Sequence, residues 1–432
     1  MATISILLVG NGGREHALAW KLSQSPIVSK IFVCPGNGGT ASLSKTENIA
    51  SISASDFPAL TKFALENHVQ LLIPGPEAPL VDGIVDYFKS NAPQIKAFGP
   101  SKAAAVMEGS KTFSKDFMKR NNIVTAAYEN FSDYAKASAY VDLVWDQHRI
   151  VIKASGLAAG KGVIIPLSKD EAQTALKEMM EDKTFGGAGD EVVIEEFLEG
   201  HEISILSFSD GETIKSLPPA QDHKRIRDGD EGPNTGGMGT YAPAPSKIVT
   251  PEILAEIERT VLIPTIQGMK KEGYPFIGCL FSGFMITKSG PKVLEYNVRF
   301  GDPETQSLLS LLESDLAAVM LACADGKLST VDLKVSSKSA ATVVVAAGGY
   351  PDAYAKGTVM TIDAAPKDVV LFHAGTTVNG DGKLVTSGGR VIASTAVADS
   401  LKDAIAKAYE GVKTIHFEGM QYRTDIGARA LR

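Results

Sequence analysis

Near its start the chain carries the stretch Ile4-Ser5-Ile6-Leu7-Leu8-Val9-Gly10-Asn11-Gly12-Gly13, an apolar run that passes directly into a glycine turn. A helical pattern follows from residue 15 to about residue 23. Similar apolar runs at 30–34 and 71–73 lead into the glycine- and proline-rich loops 35–39 and 74–77. Short apolar strands that alternate with helices predict an open parallel sheet, in which ligands bind at the carboxyl ends of the strands.

The pattern changes after about residue 102. Helical segments are interleaved with strands up to about residue 326, and turns such as Asp210-Gly211 and Ser289-Gly290 indicate antiparallel pairing. The last part has short strands, glycine turns and a helix at 398–412. We therefore predict a multidomain α/β and α+β protein. Its expected parts are an N-terminal open parallel α/β sheet domain (1–103), a central domain (104–328) with a mobile lid subdomain at about 124–196, and a small β-rich C-terminal domain (329–432).

The composition narrows the range of partners and compartments. The 432 residues include 43 Lys and Arg against 50 Asp and Glu, a net charge of −7, so no broad basic surface for nucleic acid is expected. The three cysteines are widely spaced and lack metal-ligand spacing, which predicts buried free thiols in a reducing compartment. The first apolar run is too short for a signal peptide or a membrane span. We expect a cytoplasmic protein, without membrane partners, that is a monomer or a weak dimer.

The first glycine turn is not a dinucleotide-binding fingerprint. Its third glycine position is occupied by Glu15, and the second strand runs into Pro35 instead of ending in an acid. A tight turn between strand and helix would by itself account for the glycines. Amides at a helix N-terminus beside Arg14 nevertheless favour a small phosphate or ribose-phosphate ligand.

A second glycine-rich loop joins two short strands. Lys153 ends the strand at 149–153, and the loop 156–162, which contains Lys161, leads into the next strand. The spacing is not that of a Walker loop. A surface hairpin with solvated lysines is one interpretation, but the small residues of the loop favour a hinged flap over a triphosphate, whose charge the lysines and loop amides would offset. The strand at 192–196, with the residues up to Glu202, could contact an adenosine.

The strongest chemical signal is the strand at 291–300. Because strand side chains alternate between faces, Glu295, Asn297 and Arg299 share one face, while Leu294, Tyr296, Val298 and Phe300 share the other. An exposed sheet edge would tolerate such a polar row. Carboxylate and amide oxygens also suit Mg²⁺, which takes few protein ligands beside phosphate and water, and Arg299 would then lie beside the same phosphates. No third ligand is evident, because the preceding strand has no acid between 278 and 287.

The residues after this strand predict a helix. Asp302 is expected as its N-cap and Pro303 as its first residue, and its apolar positions run through Leu308, Leu312, Leu316 and Met320.

Taken together, these and other motifs resemble those of the glycinamide ribonucleotide synthetase family, the phosphoribosylamine–glycine ligases of the ATP-grasp superfamily. The similarity extends from about residue 6 to residue 429 and is carried by residues 11–17, 74–77, 108–111, 152–163, 221–225, 232–239, 297–306, 372–376, 387–391 and 425–427.

The resemblance implies an ATP-grasp fold and the second step of de novo purine synthesis. ATP would phosphorylate the carboxylate of glycine, and the amine of 5-phospho-β-D-ribosylamine would attack the glycyl phosphate, with ADP and phosphate as the other products. The further domains that are fused to this enzyme in animals are expected to be absent.

The resemblance also implies roles for particular residues. It places Mg²⁺ or Mn²⁺ at Glu295 and Asn297. It places ATP at Lys111, Lys153, Gly156, Gly160, Lys161, Gly162, Glu195, Phe197 and Glu202. It places the substrates at Gly12, Gly13, Arg14, Gly75, Glu77, Asn234, Thr235, Gly236 and Gly237, and catalytic roles at Arg299, Asp222 and Lys224.

Other functions remain open at this point. One is a different ATP-grasp carboxylate–amine ligase or carboxylase, which would use another acceptor. Another is a non-catalytic nucleotide sensor, in which the row of Glu295 and Asn297 binds ATP without turnover. A dinucleotide oxidoreductase is disfavoured by the failed fingerprint.

Overall fold

The computed structural model describes residues 3–158 and 161–431, and the N-terminal sheet is its first unit. The strands are β1 (Ile4–Gly10), β2 (Val28–Pro35), β3 (Thr46–Asn48), β4 (Leu71–Pro74) and β5 (Lys96–Ala97), in the order β3-β2-β1-β4-β5 and all parallel. The helices are α1 (Gly13–Ser23), α2 (Phe57–Glu66), α3 (Glu77–Asp82) and α4 (Ile84–Asn91). The predicted open parallel sheet is confirmed, and the loops after β1, β2 and β4 meet at one edge.

A small antiparallel sheet follows two linking helices, α5 (Lys102–Gly109) and α6 (Lys111–Arg120). It contains the predicted flap hairpin, and we call it the flap sheet. Its elements are β6 (Tyr128–Phe131), α7 (Tyr134–Val144), β7 (Ile150–Ala154), β8 (Val163–Ile164), α8 (Lys169–Met180) and β9 (Val192–Glu196), with strand order β6-β9-β7-β8. Val141, Leu176 and Ile194 belong to a hydrophobic cluster made only of flap-sheet residues. The flap sheet thus has a core of its own.

The central sheet is antiparallel and has the order β11-β10-β16-β17. The segment from 201 to 324 consists of β10 (His201–Asp210), β11 (Ile214–Ser216), β12 (Gln221–Asp222), β13 (Arg225–Arg227), β14 (Glu231–Asn234), β15 (Gly239–Ala242), α9 (Pro251–Ile257), α10 (Ile263–Lys271), β16 (Ile277–Thr287), β17 (Gly290–Asn297), α11 (Glu304–Leu311) and α12 (Leu316–Ala324). One buried cluster includes both Leu7 of the N-terminal sheet and Phe284 of the central sheet, so the two sheets share a core.

The C-terminal sheet is antiparallel and recruits strands from earlier in the chain. The elements of the C-terminal region are β18 (Ser339–Ala347), β19 (Met360–Ile362), β20 (Val369–His373), β21 (Thr376–Val378), β22 (Leu384–Thr386), β23 (Arg390–Ala398), α13 (Leu401–Val412), β24 (Ile415–Phe417) and β25 (Met420–Gln421). The pairs β19–β24 and β21–β22 form two small sheets of their own. The strand order of the C-terminal sheet is β12-β15-β18-β23-β20. Segments on both sides of the predicted boundary at 328 therefore contribute to one sheet, because β15 pairs with β18.

The helix predicted from Asp302 through Met320 is wrong in two respects. It begins at Glu304, because the Asp302 carboxylate accepts hydrogen bonds from the Arg14 backbone N–H (3.1 Å) and from Gln306 Nε2 (2.9 Å) instead of capping the helix. It also ends at Leu311, and Asp315 caps a second helix by accepting from the Ala317 N–H at 3.0 Å. Leucine periodicity continues through the break, so it did not reveal the cap.

The predicted buried thiols are confirmed, since Cys34, Cys279 and Cys323 are all free and buried. Across 3–158 and 161–431, none of the helices combines the length and the apolar character that crossing a membrane requires.

Candidate active site

The predicted metal row lies on β17, at the edge of the central sheet beside β16. Glu295 is opposite Gly283 and Asn297 is opposite Phe281 in the antiparallel ladder. Tyr296, Val298 and Phe300 are buried as predicted, whereas the polar row is half-buried. Leu294 departs from the predicted pattern. The register shifts beside it, and Val293 takes the buried position while Leu294 stays half-buried.

Glu295 lies in a strongly positive environment. Burial acts to raise the pKa of its carboxyl, but the charges of Lys224, Lys153 and Lys111 outweigh that effect and lower the pKa. No ion pair shorter than 4 Å to Glu295 is found within the described ranges. The carboxylate is therefore charged at neutral pH and is not neutralised by a direct partner.

Glu295 and Asn297 fit a hard divalent cation by their donor chemistry. Asn297 Oδ1 accepts a hydrogen bond from Arg299 Nη2 at 2.9 Å, which uses one of its two lone pairs. The described residues contain no group of three His, Cys, Asp or Glu side chains that could hold a metal. A carboxylate and an amide oxygen without further acids suit an ion that takes most of its ligands from phosphate and water.

Arg299 joins the metal row to two glutamates. Its Nη2 lies 3.1 Å from Glu108 Oε1, and its Nε lies 3.4 Å from Glu77 Oε2. Glu108 is buried and also accepts the Val298 N–H at 2.7 Å, so it holds the end of β17 in place. Burial acts against the charge of Arg299, but Glu108 and Glu77 outweigh it and raise the guanidinium pKa. Glu108 was not among the predicted site residues, although it belongs to one of the family motifs.

Glu195 lies between two buried lysines, Lys153 and Lys115, and forms an ion pair with each. All three side chains are at most 7% exposed. Lys153 Nζ also donates to the Leu294 carbonyl at 3.3 Å, and Lys115 Nζ donates to Thr125 Oγ1 at 2.7 Å. Burial lowers the pKa of Lys115 to about 8. The cluster therefore connects the flap sheet to β17, and Lys115 is a member that sequence reasoning missed.

The glycine loop of the flap lies against neighbouring backbone. The Gly156 N–H donates to the Ala188 carbonyl at 3.0 Å, and a Cβ at Gly156 would lie 2.7 Å from Ala188 Cα, so only glycine fits without a shift. Lys111 Nζ donates to the Gly156 carbonyl at 3.2 Å. Gly162 pairs with Ala154 at the base of the hairpin, and Lys161 is exposed. Gly160, the remaining predicted loop residue, lies outside the described residues.

The other residues predicted to bind adenosine lie where β9 ends and β10 begins. The Arg149 guanidinium lies above the Phe197 ring, with its Cζ 4.0 Å from the ring centroid. Glu202 forms an ion pair with Lys224, one of the predicted catalytic residues. Phe197 and Glu202 thus each have a protein partner that contributes a positive charge.

The first glycine turn is filled by Glu15, the residue that breaks the dinucleotide-binding fingerprint. Its carboxylate accepts the Gly12 N–H at 2.6 Å and pairs with Arg14 Nε at 2.5 Å. A Cβ at Gly75 would overlap the same carboxylate. Arg14 Nη1 donates to the Phe300 carbonyl at 3.1 Å, so the glycine turn directly contacts the residues that follow β17.

The predicted substrate residues 234–237 lie beside the start of α11. The Thr235 N–H and Oγ1 both donate to the Lys224 carbonyl at 2.7 Å, and Asn234 ends β14. Gly236 and Gly237 lie next to Asp302 and are contacted by Arg390. Arg390 was not predicted as a site residue, and only its place in a family motif could have indicated it.

Two carboxyl groups, Asp222 and Glu304, influence one another electrostatically in this part of the site. Burial and the nearby Asp222 raise the pKa of Glu304 to about 8. Burial also raises the pKa of Asp222, against the opposing effect of Lys224. Glu304 has no ion pair within the part of the chain that the structure describes, so one proton is favoured between the two acids.

The flap sheet and the larger central sheet enclose a row of lysines, acids and an amide. This arrangement defines the ATP-grasp class of enzymes, which use ATP with a divalent cation. Three family models match in succession: the N domain of phosphoribosylglycinamide synthetase over residues 4–108, its ATP-grasp (A) domain over 109–305, and its C domain over 340–429. The chain belongs to the phosphoribosylglycinamide synthetase family, and the predicted resemblance is confirmed.

Individual relatives agree with this assignment. A phosphoribosylamine–glycine ligase of Vibrio vulnificus is 50% identical, with 99% of each chain covered. The crystal structure of the phosphoribosylamine–glycine ligase of Thermotoga maritima superposes with a TM-score of 0.83 at 34% identity, covering 98% of this chain and all of that one. A bifunctional purine biosynthetic protein of Pichia angusta is 58% identical over the whole of this chain, which spans 54% of that relative. The chain thus spans about half the length of such bifunctional relatives.

Proposed function

We propose that the protein ligates glycine to 5-phospho-β-D-ribosylamine at the expense of ATP. A glycine carboxylate oxygen attacks the γ-phosphorus of ATP, ADP leaves, and glycyl phosphate forms. The amine nitrogen then attacks the glycyl carbonyl carbon, the C–O bond to phosphate breaks, and the nitrogen loses a proton. The products are glycinamide ribonucleotide, ADP and phosphate. The proposal is carried by the charges of Lys111, Lys153 and Lys224, which together lower the pKa of Glu295, in a chain of this family.

In this proposal Glu295 and Asn297 hold Mg²⁺ or Mn²⁺, which would offset charge on the phosphate oxygens during transfer. Lys111 and Lys153 bind the triphosphate beneath the loop of Gly156, Gly160, Lys161 and Gly162. Glu195 fixes the position of Lys153 through their ion pair, and Phe197 and Glu202 lie at the adenosine end. Arg299, held by Glu77 and Glu108, stabilises the transferred phosphoryl group.

The acceptor, phosphoribosylamine, is proposed to lie between the glycine turn after β1 and the loop of residues 234–237. Gly12, Gly13, Arg14, Gly75 and Glu77 face the ribose phosphate, and residues 234–237 with Asp222 and Lys224 face the amine and glycine. An acyl phosphate hydrolyses readily, so the flap must exclude water before phosphoryl transfer. The separate core of the flap sheet supports its movement as one body.

A component-omission assay tests the proposal. Purified protein is supplied with ATP, Mg²⁺, glycine and freshly made phosphoribosylamine, and ADP is measured with each component left out in turn. We expect ADP release only when all are present. Release that ignores glycine would overturn the proposal. Nucleotide binding without any release would indicate the sensor. Glycine-dependent release that ignores phosphoribosylamine would show that glycyl phosphate forms and is hydrolysed by water, and would overturn phosphoribosylamine as the acceptor.

We further propose that the protein acts in the cytoplasm as a monomer or weak dimer. Sedimentation at several protein concentrations tests the second part, because a weak dimer dissociates on dilution whereas a stable oligomer does not.

A further inference from the structure

The hairpin β13–β14 and the loop that follows it form a segment with little support of its own. We call residues 225–237 the acceptor loop, because it ends in the predicted substrate residues 234–237. Its ladder pairs only Arg225 with Asn234 and Arg227 with Glu231. The turn between them, residues 228–231, is exposed, and an isolated two-stranded hairpin is marginally stable in water. Contacts with other parts of the chain must therefore hold this segment in place.

Arg423 supplies two of those contacts at the hairpin, beside those of Thr424 with Asp228 and of Arg429 with Asp230. It follows β25, near the end of the C-terminal sheet, and its side chain is only 1% exposed. Nη1 donates to Asp230 Oδ1 at 2.7 Å and to the Arg225 carbonyl at 3.1 Å, while Nε and Nη2 bind both oxygens of Asp425 at 2.8 Å. Asp425 in turn accepts the Gly229 N–H at 2.9 Å. One buried guanidinium thus joins β13 and the turn of the hairpin to the C-terminal segment.

Arg390, from the C-terminal sheet, holds the other end of the acceptor loop. Its Nη1 donates to the carbonyls of Gly236 (2.8 Å) and Asp302 (2.8 Å), and more weakly to that of Gly237 (3.3 Å). Because Asp302 also accepts the Arg14 N–H, Arg390 connects the loop to the glycine turn of the N-terminal sheet. The two arginines therefore fix the loop at its start and at its end.

We propose that Arg423 and Arg390 are positioning residues that hold the acceptor loop in its phosphoribosylamine-binding shape, so that the C-terminal sheet determines acceptor affinity. This rests on the proposed function. Neither arginine contacts the triphosphate residues Lys111 and Lys153 in the described structure, so ATP binding should depend on them little. The planar fork of Arg423 reaches four acceptors, which a lysine ammonium cannot do.

Arg423→Met and Arg423→Lys test the proposal, with Arg120→Met as the matched control. Arg120, in α6, forms an ion pair with Glu272 at 2.8 Å and makes no hydrogen bond or ion pair with residues 225–237 among the described residues. Losing charge-assisted hydrogen bonds should raise the KM for phosphoribosylamine about tenfold or more in both Arg423 variants, while the KM for ATP changes less than about twofold. Arg120→Met should change neither value. An equal rise of all KM values in the Arg423 variants would overturn the proposal.

Asp230→Asn provides a milder variant, because Asp230 is 46% exposed and the buried pair of Arg423 with Asp425 stays intact. We expect the same KM pattern with a smaller amplitude. Hydrogen exchange gives a readout that does not need turnover: amides of 225–237 should exchange faster in Arg423→Met and Asp230→Asn than in the native protein. Unchanged exchange there would overturn the proposal, whereas absence of phosphoribosylamine-dependent ADP release in the native protein would overturn the proposed function alone.

Discussion

Glu304 occupies an unusual position for a carboxyl group, at the buried first turn of α11 and close to Asp222. With its pKa raised to about 8 in the folded protein, it keeps its proton over a range in which the unfolded chain has lost it. Stability contributed by this group is therefore present at low pH and is lost as the pH rises toward the folded pKa.

Glu304→Gln removes that pH dependence while keeping the shape of the side chain. We expect the Tm of the variant to exceed that of the native protein by more at about pH 8.5 than at about pH 5.5, because only the native carboxyl must ionise in a buried site. Thermal unfolding of both proteins in buffers of different pH measures this difference in Tm. Glu212→Gln, at an exposed ion pair with Lys270, should show no such trend. A gap that does not vary with pH would contradict the raised pKa.

Glu295→Gln tests the metal row at the same scale. The amide keeps the size of the side chain but removes the negative charge, so the site loses its only charged cation ligand, and we expect turnover to fall below detection. Circular dichroism and Tm should stay near native values, since Glu295 has no direct ion-pair partner among the described residues. Native-like turnover in this variant would remove Glu295 from the proposed metal site.

At the scale of elements, β9 presents two adjacent glutamates whose surroundings differ completely. Glu195 is buried between Lys115 and Lys153, whereas Glu196 is half-exposed and pairs with Lys292 at 2.9 Å. Removing one member of a buried charged cluster leaves uncompensated charge and costs about 3–5 kcal/mol, while exposed pairs contribute about 0–1 kcal/mol.

We therefore expect Glu195→Gln to loosen the flap sheet and Glu196→Gln to leave it nearly unchanged. Limited proteolysis within residues 128–196 and the free energy of unfolding measure the difference, with Glu196→Gln as the matched control. Equal protease sensitivity of the two variants would show that the lysine cluster does not stabilise the flap sheet.

The strands of these elements could be predicted because periodicity and turn residues are local properties. The runs ending at Gly10, Cys34 and Ile73 became β1, β2 and β4, and alternation placed Glu295, Asn297 and Arg299 on one face. Partners distant in sequence could not be found this way. Val298 and its acceptor Glu108 are separated by 190 residues, and no local pattern marks such a pair. The break in the helix after Leu311 was missed for a related reason, because leucine spacing does not reveal a cap at Asp315.

At the scale of the whole molecule, buried histidines lie at the junctions between sheets. His16 of α1 accepts the His373 backbone N–H at 2.7 Å, and His223 accepts the Gly427 N–H at 3.2 Å. Burial lowers the pKa of His16 and of His223 to about 3, and that of His373 to about 4. Each imidazole is neutral in the folded protein and takes up a proton on unfolding below its ordinary pKa, so stability falls as the pH drops.

We expect the free energy of unfolding to decrease between about pH 6.5 and pH 4.5, by up to roughly 1 kcal/mol per pH unit for each of these histidines. Urea unfolding at several pH values measures the slope. His16→Gln should flatten it, because the variant side chain cannot be protonated, whereas replacement of the exposed His416 should not. The same slope in His16→Gln and in the native protein would exclude His16 as a contributor.

Arg423 follows Asp230 by 193 residues, and this separation has a consequence for the order of events during synthesis. A ribosome adding about 5–20 residues per second needs roughly 10 to 40 s to cover that distance. Throughout that interval Asp230 has been added to the chain but its arginine partner has not. A chain interrupted in this window would carry the proposed nucleotide-binding residues without an ordered acceptor loop, so ligation becomes possible only after the segment that contains Arg423 has been translated and has folded back.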